Sequence, residues 1–429
     1  MMSVIMAIAM PAQDASKPPA GAPASAGIPS VSAAFQAARA SYRAGKFADA
    51  EDAWKNLPDG DKFSVLGLQL HAQLELSANS LEAAQGDLLQ ARRLEPHNKA
   101  TLGLLALAYM RGDRFLDASP FYEQTDQIAQ ARQAQQLAAR QPYRVEGIGL
   151  ESRIKLLRTN PLPVVAVRLN GGEVRYFLLD TGAGEVYLDT EVARTLEIDD
   201  LGQTQGVFAK GDVQSIGHGI LNSLAIGVWV VHDMPVVIKD TSAYSAAGGG
   251  LKIDGIIGTN FFSHFVTTID YRKGELQLRR KPPAPGAETV AALRTRMVAA
   301  GAKGIPLRWV GDHFLLAEGT VNGSAPMQFF VDTGLAGAGF TAPESTLKAA
   351  GIAVPAAGQL AVFSAKELTL GSGGTQVKEQ DVTGVAGAFP PQLENTMLGV
   401  HVGGLISHSF FLKAAITFDF ANMTLWVER

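Results

Sequence analysis

Between Ser32 and about Arg140 the apolar positions recur at helical spacing, and over that spacing runs a longer repeat of about 34 residues. Ala38, Ala72 and Ala106 share one register. Phe47, Leu81 and Phe115 share a second, Ala50, Ala84 and Ala118 a third, and Trp54, Leu88 and Tyr122 a fourth. Small residues at fixed positions let paired helices approach, and large ones fill the groove between them. The stretch therefore predicts about three stacked helical hairpins, with an ordinary helical bundle as the alternative. Gln124 to Arg140 is polar and rich in Ala and Gln, a helix expected to cap the stack and lead out of it. Near Val145 the period changes to two. Pro161 to Asn170 and Val174 to Leu179, joined by Gly-Gly, read as a hairpin, and His313 to Val331 as a second one around Asn322-Gly323.

The alternating region is itself doubled. Tyr176 to Asp189, YFLLDTGAGEVYLD, recurs as Gln328 to Thr341, QFFVDTGLAGAGFT, so that a buried strand twice delivers a carboxylate to a Gly turn. Ile253 to Phe262 is matched by Val402 to Phe411, and Thr268-Ile269-Asp270-Tyr271 by Thr417-Phe418-Asp419-Phe420. Asp332 follows Asp180 by 152 residues and Asp419 follows Asp270 by 149. A lone Asp-Thr-Gly is ordinary turn chemistry. Two copies with matching approaches at a nearly constant offset are an internal duplication. Asp270 and Asp419, at strand ends, read as turn formers.

The doubled pattern resembles the pepsin and retropepsin superfamily of aspartic proteases, over about residues 145 to 429. The resemblance implies a mainly-β bilobal fold: a first lobe over 142–281, an interlobe linker over 282–303 and a second lobe over 304–429. It implies Asp180 and Asp332 as the catalytic dyad, working without a cofactor or metal on a protein or peptide substrate. Two carboxylates close together cannot both ionise cheaply, so one stays protonated and polarises the scissile carbonyl while the other activates water. By the same resemblance Thr181 and Thr333 hydrogen-bond across the two-fold, and Gly182 and Gly334 let the turns close. Residues 202–237, Gly-rich and alternating, stand where the family carries a flap, with a tip at Phe208 to Asp212; an ordinary surface hairpin is the other reading. The Gly-rich run Ala246 to Gly250 is expected at the cleft edge. Two departures stand out. Ser407 follows Leu405-Ile406 where Gly258 follows Ile256-Ile257, and Ala183 and Leu335 replace the Ser or Thr usual after the catalytic Gly in pepsins, which implies activity at mildly acidic to neutral pH.

The helical stretch, residues 31–141, is similar to tetratricopeptide repeats, which implies a face offered to a protein or peptide partner. The fold class expected is therefore multidomain, all-α repeats followed by the bilobal protease-like region. The function expected is an aspartic endopeptidase; the alternative is a non-catalytic peptide-binding scaffold.

Composition narrows this a little further. The chain of 429 residues has a formal net charge of −4 with no basic stripe, which argues against a nucleic-acid partner. It has no cysteine, hence neither disulfides nor thiol chemistry. Its eight histidines form no His-Glu-x-x-His and no close ligand set in sequence, and no Gly-x-Ser-x-Gly elbow occurs. No apolar run reaches the roughly 20 residues that span a bilayer. Met1 to Met10 is apolar without a basic start, either a truncated signal peptide or an apolar tail, and Pro11 to Pro29 has linker composition. A periplasmic or otherwise exported protein is the expectation, a cytoplasmic one the alternative.

Overall fold

The computed structural model describes residues 31–208, 213–246, 248–391, 393 and 399–429. The expected signal and linker over 1–30, the flap tip at 209–212 and Ala247 of the Gly-rich run lie outside the described residues.

The described chain opens with the helices α1 (Ala33–Arg43), α2 (Phe47–Lys55), α3 (Asp59–Lys62), α4 (Val65–Ser77), α5 (Leu81–Leu94), α6 (Lys99–Arg111), α7 (Phe115–Gln124) and α8 (Ile128–Ala138). α1, α4 and α6 each start at a side-chain cap, where Ser32, Ser64 and Asn98 accept from the N–H of Phe35, Gly67 and Thr101. Each following turn rests on one left-handed residue, Gly45 (φ 72°), Asn79 (φ 59°) and Asp113 (φ 55°), so the repeat of the sequence is also a repeat of turns. All six alanines of the repeat are fully buried where neighbouring helices meet.

Beyond Arg144 the chain is strand-rich and bilobal. In the first lobe Val174–Leu179 lies between Val164–Leu169, antiparallel, and Gly255–Ile257, parallel, inside an eight-stranded sheet. In the second, Met327–Asp332 lies between Phe314–Val321, antiparallel, and Gly404–Ser407, parallel, inside a seven-stranded sheet. Phe177 pairs with Gly255 and Phe329 with Gly404, the same register at the duplication offset. Both expected hairpins are present, and Asn322 (φ 50°) with Gly323 (φ 74°) supplies the two left-handed residues that a tight turn requires.

The lobes share a floor. Phe265–Asp270 of one half pairs with Ala415–Asp419 of the other at the centre of a six-stranded sheet, where the Thr268 and Thr417 hydroxyls meet at 2.7 Å. The segment between the lobes carries a helix, Val290–Ala299, capped by Thr289, and packs Leu293 and Met297 onto Val266 and Trp426 of that floor. Asp270 and Asp419 accept from the N–H of Lys273 and Asn422, so both close turns.

The helices are not a free-standing module. Phe35, Phe47, Leu70 and Leu74 share a core with Phe314 and Phe330 of the second lobe, and Phe115, Ala134 and Leu137 with the core of the first. The polar helix α8 packs on α7 at the end of the stack and leads to the first lobe, where Gln133, 1% exposed, donates its amide to the carbonyls of Gly219 at 2.7 Å and Val236 at 3.2 Å. Among the described residues no helix is long and apolar enough to cross a membrane. Gln133→Ala should leave those two carbonyls without their donor and cost about 1–3 kcal/mol, read as a lowered Tm; an unchanged Tm would mean that α8 docks through its alanines alone.

Candidate active site

Three apolar residues lead into each motif, Phe177 to Leu179 and Phe329 to Val331, and all six are buried. A strand buried on both faces carries whatever ends it into the interior. Asp180 is accordingly 2% exposed and Asp332 fully buried. Carboxylates in such a place need donors. The Gly182 N–H donates to Asp180 Oδ1 at 2.7 Å and the Gly334 N–H to Asp332 Oδ1 at 2.9 Å.

The two loops are locked to each other through their threonines. The Thr181 N–H donates to Thr333 Oγ1 at 2.9 Å and the Thr333 N–H to Thr181 Oγ1 at 3.0 Å. Each hydroxyl passes its own proton to the opposite strand, Thr181 to the Val331 carbonyl at 2.7 Å and Thr333 to that of Leu179 at 3.0 Å. Four bonds among buried groups fix the separation of the loops. The glycines make it possible: a Cβ on Gly334 would lie 2.1 Å from Asp180 Cγ, and one on Gly182 would lie 2.7 Å from Asp332 Oδ1. The structure thus brings all six motif residues, Asp180, Thr181, Gly182, Asp332, Thr333 and Gly334, into one buried cluster.

The parallel strands pass beneath these loops. In the first lobe the Asp180 N–H donates to the Ile257 carbonyl at 3.0 Å, and Thr259 Oγ1 donates to the Thr181 carbonyl at 3.0 Å. A Cβ on Gly258 would stand 2.3 Å from the Glu185 carbonyl, so this position tolerates nothing larger. Ser407 does fit the corresponding place, where its hydroxyl accepts from the Ser409 N–H at 3.0 Å and starts the next turn. The departure from the pattern is absorbed by a local cap.

Burial raises both aspartates above the usual carboxylate range. For Asp180 the charge of Asp332 adds to burial and carries it well up, against the Gly182 N–H. Asp332 reaches about 6: burial drives it up, while the bond from Asp180, the Gly334 and Leu335 N–H groups and the field of His313 draw it down. Carboxyls this close and this buried titrate as a pair.

Sequence reasoning missed His313. It lies just before Phe314–Val321, is fully buried, and has Nδ1 on Asp312 Oδ1 at 2.8 Å and its ring 4.1 Å from that of Phe314. Its Nε2 and the Asp332 Oδ2 both lack hydrogen-bond partners. Nothing in its sequence neighbourhood distinguishes it from the other histidines.

The hairpin expected as a flap is formed by Gln203–Val207 and Val213–Ile226. Phe208 at its end is buried in a cluster with Tyr187, Tyr244, Ala183 and Ala336, the last two belonging to the dyad loops of opposite lobes. Lys239 Nζ sits 3.5 Å from the Phe208 ring centre, and burial lowers its pKa to about 8. The structure also assembles a grouping that the sequence leaves dispersed. Glu51, His71 and Glu75 converge between α2 and α4, where His71 Nδ1 meets Asp87 at 2.5 Å and its ring stacks on Trp54 at 3.6 Å. Burial opposes the charge of His71, but the three surrounding carboxylates outweigh it and raise its pKa, as in an ion-pair knot.

Residues 165–261, which contain Asp180 and the Ile256–Gly258 segment, match the model of a family described as Aspartyl protease. Among solved structures the chain is similar to a retropepsin-like aspartic protease from Rickettsia conorii, at 18% identity over 33% of this chain and 96% of that one, with a TM-score of 0.22. No curated protein matches the chain.

An aspartate whose pKa is raised by folding stabilises the fold below the unfolded carboxylate range and loses that contribution as pH rises through the folded value. Asp332→Asn should therefore match the wild type in Tm near pH 4 and exceed it above pH 6, by roughly 2–4 °C for each kcal/mol relieved. A gain that is the same at every pH, or absent, would contradict the raised pKa.

Proposed function

We propose that the chain is an aspartic endopeptidase. The observation that carries the reading is the buried carboxylate pair held by the crossed Thr181 and Thr333 bonds. Asp332, the lower of the two, takes a proton from a bound water. The water oxygen attacks the scissile carbonyl carbon while Asp180 gives its proton to the carbonyl oxygen. Collapse of the resulting tetrahedral diol breaks the C–N bond as one diol hydroxyl returns its proton to Asp180 and the proton acquired by Asp332 passes to the leaving amine. The field of His313, held by Asp312, favours the ionised form of Asp332. The helices supply a wall for incoming peptide or protein.

Asp180→Asn or Asp332→Asn should each abolish cleavage of an unfolded protein mixture assayed from pH 3 to 8 with peptides identified by mass spectrometry. Wild-type activity should rise with an acid limb near pH 6, as Asp332 ionises, and fall again when the pair gives up its shared proton, both limbs belonging to the pair. Peptidase activity retained in either mutant would remove the mechanism. Tight peptide binding with no cleavage at any pH would favour a peptide-holding scaffold instead.

A further inference from the structure

Two cavities flank the dyad loops at places related by the duplication. One, of about 470 Å³, is lined by Glu185, Asn260, His264 and Asp312; the other, of about 430 Å³, by Gly337, Ser409, Lys413 and Asn160. Each residue of the first set stands opposite its 149- or 152-residue counterpart in the second. Both carry carboxylates, Glu185 and Asp312 in the first and Glu379 and Asp381 in the second, but only the first lies under the helices, where Ala100, Gly103, Leu104, Leu107 and Arg111 form one stripe of α6.

The charges around this cavity are mostly spoken for. The Arg111 guanidinium donates to the carbonyls of Leu76, Trp309 and Gly311. Lys99 pairs with Asp126 at 2.6 Å and Asp113 with His264 at 2.9 Å. Glu185 is left over: its Oε2 is buried without a hydrogen-bond partner, and burial, with Asp312 adding to it, raises its pKa to about 7. A second orphan lines the same cavity. His218, 4% exposed, has Nε2 on Thr204 Oγ1 at 2.8 Å while its Nδ1 is buried and unpartnered. Burial lowers its pKa to about 4, so the ring is neutral; in the tautomer whose Nε2–H donates to the Thr204 hydroxyl, Nδ1 is an acceptor. His218, Val237 and Tyr187 lie side by side across three strands, and Glu185, just before the strand that holds Tyr187, lines the same cavity. Two buried acceptors thus face an aliphatic helix stripe across empty space.

We propose that this cavity binds a cationic group of a peptide, an amino terminus or a Lys or Arg side chain, through Glu185 and His218 Nδ1, with its aliphatic portion against Leu104 and Leu107. An ammonium or guanidinium supplies N–H donors and no acceptor, which is what two orphan acceptors require. Glu185 follows Asp180 by five residues, so on the endopeptidase reading, on which this consequence rests, the pocket selects a basic residue or chain end a few positions from the cut bond.

The test uses the full chain carrying Asp180→Asn, which holds peptide without turnover, and four peptides labelled at the carboxyl end: free or acetylated at the amino terminus, with Lys or norleucine inside. Fluorescence anisotropy should give at least about tenfold tighter binding to the cationic peptides than to the acetylated norleucine one, the range expected of hydrogen bonds to a charged group. Loss on acetylation assigns the amino terminus, loss on the norleucine exchange the side chain. Glu185→Gln should shrink the gap to within about twofold. Gly103→Phe, at a position where an added Cβ meets nothing within 4 Å, should fill the cavity and weaken the cationic peptides without removing a charge. Equal affinity for all four peptides, or a gap that survives both substitutions, overturns the pocket. A wild type that cleaves nothing would sink the endopeptidase reading but leave this binding result standing, whereas cleavage indifferent to charge would do the reverse.

Discussion

Two carboxyl groups buried against each other are the constraint to which the rest of the β region answers. Neither can be charged cheaply there, and together they can carry about one charge. The arrangement persists only if the backbone that presents them cannot relax apart. The crossed Thr181 and Thr333 bonds meet that need, because each threonine satisfies a backbone N–H of the other loop and a carbonyl of the other strand. Removing either hydroxyl would leave an N–H and a carbonyl of the opposite half unpaired in the interior. The shared six-stranded floor holds the same two halves from below, so the loops are clamped at both ends.

Symmetry brings the pair together, and its breaking makes the pair useful. Both motifs arise from one duplicated pattern and sit in identical register, yet their surroundings diverge within a few residues. Gly258 beneath one loop is replaced by Ser407 beneath the other, and Asp312-His313 in the second lobe stands where the first has Asn160-Pro161. Burial raises both aspartates, and the field of His313 is among the influences that draw Asp332 back down, with no counterpart at Asp180. Unequal pKa values are what distinguish an acid from a base in a dyad of identical residues.

Most of the site was legible in the sequence because it is local. A run of apolar residues, a carboxylate, a hydroxyl and a glycine determine strand, turn and packing within a dozen positions, and the duplication says that two such units meet. The helix registers were legible for the same reason, with Ala38, Ala72 and Ala106 buried as their spacing implies. Periodicity reports which face is buried and is silent on what buries it. That is why the spacing marks α8 as a cap without showing that Gln133 is sunk in the first lobe, and marks two lobes without showing that their last strands share a sheet. His313, Glu185 and His218 were illegible because their role comes from tertiary neighbours, and a single titratable residue carries no periodicity.

The way the helices are attached bears on what they do. A tethered repeat array could swing to fetch a partner, as the resemblance to repeat proteins suggests. Here Phe35, Phe47 and Phe115 are buried in cores shared with the two lobes, and each would cost about 1.5–3 kcal/mol to expose. Three such side chains alone amount to a large part of the 5–15 kcal/mol by which a domain is stable. Detaching the array would thus come close to unfolding the protein. The helices are fixed to both lobes, and because they line only one of the two duplicated cavities, they make the two unequal. A polar chain with two distinct ends can read that inequality as a direction.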